Sequence, residues 1–223
     1  MIGDQQASAF GCGCVKNGLT KATLGTGLFI DAFMGSQVIP KIRDQSYPLI
    51  GWKSGPETSH LYETRSDFAH THIQDCILNG NVKNVKSLDN IALFGDNQGS
   101  NSKISQESAI KLFNKAILEF YKVWTEFNDN VGQIIDISSI KIDGGYSHSD
   151  YLLQGISSVS NKKVVRMLDS ESTSRGAYFL ARLGAGLSPP NTDFSPFIHH
   201  SKEFYPNPQQ TKYFHELLKN IPS

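Results

Sequence analysis

The sequence predicts an α/β domain, a mixed sheet flanked by helices, and three observations predict it. Residues 21–33 and 138–142 are rich in β-forming residues and run into glycine turns. A long segment beginning at Ser105 carries apolar residues at helical spacing. The order strand, turn, helix then occurs twice, over 138–150 and 164–183. With 223 residues and 39% apolar side chains, the chain is long enough to bury a sizeable core, and the reading is of one domain over 1–223.

Residues 1–14 read as a short helix entered through Asp4, with Ala7, Ala9 and Phe10 apolar and Gly11 and Gly13 ending it. The segment KATLGTGLFIDAF at 21–33 is broken by Gly25 and Gly27, which suggests two strands around a tight turn. Residues 49–52 form a further short strand. Segments 57–69 and 71–78 have mixed helical patterning, with Gly55 and Pro56 ahead of the first and Asn79 and Gly80 stopping the second. The polar run GDNQGSNSKIS at 95–105 reads as an exposed loop.

Ser105 then caps the strongest helix, whose stripe of Ala109, Phe113, Ala116, Ile117, Phe120, Trp124 and Phe127 reads as core. Strand 138–142 leads into Asp143, Gly144 and Gly145, and a helix begins near Ser149 or Asp150. Strand 164–168 is followed by a turn and cap at 172–174 and a helix at 176–183. Five prolines between 189 and 208 mark an irregular tail before a last helix at about 209–218. No internal repeat is present.

Twenty-one basic residues balance 21 acidic ones, so no net field draws the chain to nucleic acid or an anionic membrane. Any phosphate it binds is held by local geometry. No apolar run is long enough to span a bilayer and the start lacks a signal-peptide core, so the expected location is cytoplasmic. Cys12, Cys14 and Cys76 read as plain thiols, and the histidines, including the pairs His70/His72 and His199/His200, lack partners at metal-ligand spacing.

The glycine turns at 25–27, 55 and 144–145 each have a structural reading, since turns need positive φ. They also have a ligand reading, because backbone N–H groups at such turns cradle phosphate without net basic charge. The Walker and GxGxxG patterns are absent as placed motifs. Asp4 is either a helix cap or a proton acceptor facing a cleft, and spacing alone favours the cap.

The residues themselves carry a resemblance. GDQQASAFG at 3–11 followed by KATLGTGLF at 21–29 resembles the FGGY carbohydrate kinase family, glycerol kinases above all. IKIDGGYSHSDYLLQ at 140–154 and RGAYFLARLGAG at 175–186 resemble later motifs of that family, and YPLIGWKSGPE at 47–57 points to its animal glycerol kinase-like branch. The resemblance implies the actin-like, ribonuclease H-like C-terminal domain of a two-domain kinase, with ATP and a polyol such as glycerol meeting between domains. It implies Asp4 as general base, polyol contact and candidate Mg²⁺ ligand, Gln5 as polyol contact and Phe29 packing on polyol carbons. The implied ATP positions are Gly25, Thr26, Gly55, Ser59, Gly145 and Ser149, with Mg²⁺ bridging phosphate oxygens.

Four departures accompany it. Ser59 stands where the family has glutamine, Ser149 where it has asparagine, and Arg175 where it is apolar. An internal loop of the family, expected near 88–104, is deleted. The expectation is therefore a C-terminal half lacking its N-terminal domain and inactive alone, and the resemblance leaves homo-oligomer formation open. The alternative is a catalytically inactive relic that keeps the fold and weak nucleotide binding. A metal-dependent hydrolase on the same topology ranks last, since only Asp4 and Asp143 stand at suggestive places.

Overall fold

The computed structural model describes residues 2–38, 45–67, 71–95 and 103–219. In chain order its elements are α1 (Asp4–Gly11), β1 (Leu19–Leu24), β2 (Leu28–Gly35), β3 (Ser46–Ser54), β4 (Glu57–Ser66), α2 (Thr71–Leu78), α3 (Val85–Phe94), α4 (Gln106–Val131), β5 (Ser139–Asp143), α5 (Asp150–Ser160), β6 (Lys163–Met167), α6 (Ser172–Gly184), β7 (His200–Phe204) and α7 (Pro208–Lys219). One sheet of seven strands runs β3-β4-β2-β1-β5-β6-β7. Its centre, β1-β5-β6, is parallel, and the remaining pairings are antiparallel.

Because side chains alternate along a strand, each strand feeds two faces. Ala22, Leu24, Leu28, Ile30, Ile140, Ile142 and Val164 point to one face, where they meet the α4 stripe from Ala109 to Phe127. That stripe is core, as its spacing requires. On the other face Ala9, Cys12, Phe33, Leu61 and Met167 pack together beneath α1. α1 lies directly on α6, where a Cβ added to Gly176 would stand 1.7 Å from the Ala7 carbonyl oxygen. All three cysteines are buried and unbridged.

Several expectations need correction. Residues 57–66 form a strand rather than a helix, because Gly55, at φ +60°, closes a two-residue turn that returns the chain along β3 with Ser54 opposite Glu57. β3 is longer than 49–52 for the same reason. α3 and the edge strand β7 are additions to the expected set. Gly3, not Asp4, is the N-cap of α1, and it makes no side-chain cap bond. α6 already begins at Ser172, so 172–174 is helix. Most of the 95–105 loop, and residues 68–69 of the expected helix, lie outside the described residues.

Candidate active site

The parallel centre of the sheet ends in two glycine turns that touch. After β1, Gly25 N–H donates to the Gly27 carbonyl at 3.0 Å, with Thr26 exposed at the tip. After β5, Gly144 takes φ +89°, and a Cβ there would stand 2.4 Å from the Leu24 carbonyl oxygen. Only glycine permits both the backbone angle and this approach. Gly145 follows, opening a 3-10 turn to His148, and no atom lies within 4 Å of the place its Cβ would occupy. The two turns thus form one backbone rim with open space in front of it.

α1 is tethered to that rim from below. Asp143, buried at the end of β5, accepts from Ser8 Oγ of α1 at 2.9 Å and from Thr23 Oγ1 of β1 at 2.6 Å. Two cations hold the C-terminal end of the helix. Lys141 Nζ donates to the Cys12 carbonyl at 2.7 Å, and Arg175 Nε donates to the Gly11 carbonyl at 2.9 Å. Both complement the negative end of the helix and satisfy carbonyls that have no intrahelical partner. The positive N-terminal end carries Asp4, exposed in the first turn, where a carboxylate is favoured.

Gln5, next along, accepts from the Lys21 ammonium. Lys21 is completely buried and also lies 2.9 Å from Asp31 Oδ2. Register explains this meeting. Lys141, Lys21, Asp31, Glu63 and Tyr47 stand opposite one another across five strands, one row on the face beneath α1. Tyr47 donates to Glu63 Oε1 at 2.5 Å. Burial works against the Lys21 charge, but Asp31 and then Asp143 more than offset it, so its pKa lies above the ordinary lysine value. Burial is also the largest influence on Asp31, which is pushed up to about 7 despite Lys21, with Glu63 adding to the rise.

Six of the residues expected at a site lie on this rim or on the elements tied to it, α1 and β2. Gly25, Thr26 and Gly145 form its edge and Asp4 and Gln5 its helix. Phe29 stands opposite Thr23 and, by strand alternation, on the Lys21 and Asp31 face. The structure does not bring Gly55 and Ser59 there. They lie at the other end of the β3–β4 hairpin, Ser59 being seven residues from Ser66, or about 24 Å at ~3.4 Å per residue, and Gly55 farther still. Ser149 is fully buried, its hydroxyl donating to Asp89 Oδ1 at 2.6 Å and accepting the Leu152 N–H as the cap of α5. Among the described residues no group of three or more His, Cys, Asp or Glu is arranged to hold a metal.

Sequence reasoning missed Lys21, Asp31 and Glu63. The signal it could have used is a charge flanked by apolar residues inside a strand, as in FIDAF, which demands a buried partner.

No family model matches the chain. It is 30% identical to glycerol kinase 5 of Gallus gallus over 211 residues, which is 84% of this chain and 40% of that protein. To the glycerol kinase of Coxiella burnetii (strain RSA 493 / Nine Mile phase I) it is 30% identical over 218 residues, 84% of this chain and 42% of that protein. Its fold superposes on the ADP-bound glycerol kinase of Plasmodium falciparum with a TM-score of 0.80 at 18% identity, over 100% of this chain and 51% of that one. With the ligand-bound xylulose kinase of Lactobacillus acidophilus the TM-score is 0.68 at 17% identity, over 96% of this chain and 48% of that one. The chain spans less than half the length of the glycerol kinases it matches in sequence. The mixed α/β fold, with its seven-stranded sheet, is that of the actin-like sugar kinases. By sequence and fold together, the chain is homologous to the C-terminal half of the glycerol kinases, within the FGGY-type sugar kinases.

Proposed function

We propose that this chain is the C-terminal wall of an ATP-dependent polyol kinase, with glycerol or a close relative as the substrate class. The observation that carries the reading is the stacking of the Gly25–Gly27 and Gly144–Gly145 turns beside α1, which Ser8 ties to Asp143 at the foot of the second turn. Glycine backbones in front of open space suit a phosphate chain, and a helix N-terminus favours its negative charge. In this reading Thr26 and the backbone of Gly25 and Gly145 receive phosphate oxygens.

Asp4 accepts the proton of the substrate hydroxyl as that oxygen attacks the γ-phosphorus and ADP leaves. Gln5, anchored through its carbonyl oxygen by Lys21, keeps its amide N–H groups for polyol hydroxyls. Phe29 covers polyol carbons. Ser149 acts on the nucleotide through α5, whose first turn it fixes, while Gly55 and Ser59 stand outside this arrangement. The donor set fits Mg²⁺ delivered with the nucleotide rather than a preassembled cage, because that ion takes one or two carboxylates beside phosphate oxygens. Asp4 is the residue that would hold it, and the ion would supply charge neutralisation.

One wall does not exclude water or align two substrates, so transfer requires the complementary half that the relatives possess. Calorimetry of the chain with ATP·Mg²⁺ should give binding that Thr26→Ala weakens. Joining the chain to the N-terminal half of a homologous glycerol kinase should give glycerol phosphorylation. Binding without transfer in the joined protein would support a nucleotide-binding relic, and a folded chain with neither property would refute the reading.

A further inference from the structure

The row beneath α1 holds more acid than base. Asp31 and Glu63 are adjacent across β2 and β4, and their exposures are 0% and 3%. Lys21 is the cation that reaches Asp31, on Oδ2, while buried Asp31 Oδ1 has no hydrogen-bond donor. Two ionised carboxylates facing one ammonium would leave a buried negative charge uncompensated, which is far more costly than keeping a proton between them. That proton also supplies the donor Asp31 lacks.

Every other charged group near the pair is engaged elsewhere or neutral. Lys141 serves the carbonyls of Cys12 and Gly13. Asp143 is bonded to Ser8 and Thr23. Arg65, two residues beyond Glu63 on the same face, donates to Gln45 Oε1 at 3.1 Å, and Tyr47 donates to Glu63. From the α1 side, burial pushes the Cys12 thiol upward and Cys14 up to about 12, so both are neutral. Asp4, on the same helix, is exposed.

We propose that Lys21 is a positioning residue for Gln5, and that one proton held between Asp31 and Glu63 sets how firmly it does so. With the proton in place the pair carries one negative charge, matched by Lys21, whose remaining N–H donors are free for Gln5 Oε1. When the proton leaves for solvent, two carboxylates draw the ammonium along the row and away from Gln5. The helix residue assigned to the polyol then loses its anchor. The inference rests on the site reading above for its consequence, but the proton and the Gln5 contact are measurable without substrate.

The test is a carboxyl-carbon NMR titration of the whole chain from pH 5 to 9, followed together with the Gln5 side-chain amide. Asp31 should lose its proton near neutrality, which fits its raised value, and the Gln5 amide should shift with the same midpoint. Glu63→Gln should abolish that step and flatten the Gln5 profile. Lys21→Met should leave Gln5 indifferent to the carboxyls. An Asp31 titration at the ordinary carboxylate value, or a Gln5 amide unmoved between pH 5 and 9, would overturn the inference, and the wild-type titration alone suffices if a variant does not fold. Glycerol added at pH 6 separates the two readings. If Gln5 follows the carboxyls but ignores glycerol, the polyol site is wrong and the proton device stands. If it responds to glycerol but not to the carboxyls, the reverse holds.

Discussion

Gly11 and Gly176 face each other across the α1–α6 contact so closely that a Cβ on Gly176 would stand 2.8 Å from the Gly11 nitrogen. A Cβ on Gly11 would lie 1.9 Å from the Ser172 carbonyl oxygen. Those neighbours are backbone and cannot swing aside. Gly176→Ala should therefore lift α1 from the sheet, costing on the order of 2–3 kcal/mol in urea unfolding and weakening the Ser8–Asp143 tether. An unchanged unfolding midpoint would show that the helices slide freely.

Arg175 stands where the resemblance leads one to expect an apolar residue, and each of its three guanidinium nitrogens has a partner. It donates to the Gly11 carbonyl and to Ser172 Oγ, and pairs with Asp169 at 2.5 Å. Arg175→Met should lose about 1.5–3 kcal/mol of stability, the usual worth of a hydrogen bond from a charged donor at a partly buried site. Denaturant titration of the variant beside Lys202→Met, which removes a half-exposed partner of Asp150, gives the contrast.

Asp4→Asn should lower stability by no more than about 0.3–1 kcal/mol, the worth of a first-turn carboxylate, because Asp4 is exposed. In a protein completed with an N-terminal half, the same change should lower kcat by about 10²–10⁴, the range for loss of a general base, with a smaller change in KM. Steady-state glycerol phosphorylation is the measurement, and full activity would remove Asp4 from the chemistry.

The raised Asp31 gives stability a direction with pH. Its value moves from 3.8 to about 7 on folding, so between those limits the folded chain holds a proton that the unfolded chain has released. The associated stability is fully present below pH 4, falls as pH rises toward 7, and is gone above it. Thermal melts of wild type and Glu63→Gln from pH 4 to 8 check this. The wild type should lose melting temperature over that window by more than the variant.

Ser149→Ala should destabilise by about 1–2 kcal/mol, since it removes the cap of α5 and a hydroxyl donor to buried Asp89. Asp89 keeps the Tyr151 and Asp150 N–H groups, which limits the loss. Urea unfolding measures the change. A neutral result would mean that Asp89 alone fixes the first turn.

How far the sequence could be read follows from what each residue can announce without its neighbours. α4 announces itself, because one helix face is core and the other is solvent, so its apolar spacing is unambiguous. The hairpin at 21–33 does so through its glycine turn. β4 does not. Leu61 and Tyr62 point to opposite faces, both covered, so apolar and polar residues do not alternate and ETSHLYETRS passes for a helix. Glu63 is buried only because Asp31, Lys21 and Tyr47 align beside it, and that alignment is set by strand register. Gly55 looks like Gly25 and Gly145 in sequence, yet the hairpin carries it to the far end of the sheet. The motif resemblance singles out Asp4 and Gln5, whereas nothing in the sequence announces the charged row that holds Gln5.

The α1–α6 contact also says when this site comes into being. Arg175 reaches Gly11 across 164 positions of chain, and such a closure is among the last to form because its loop entropy is lost before any contact rewards it. During synthesis, α1 emerges well before α6 and waits for it before this contact can form. The rim, by contrast, needs β1 and β5 alone. A nascent chain would thus complete the two glycine turns, and the Ser8–Asp143 tether to them, before it completes the seat of α1 on α6.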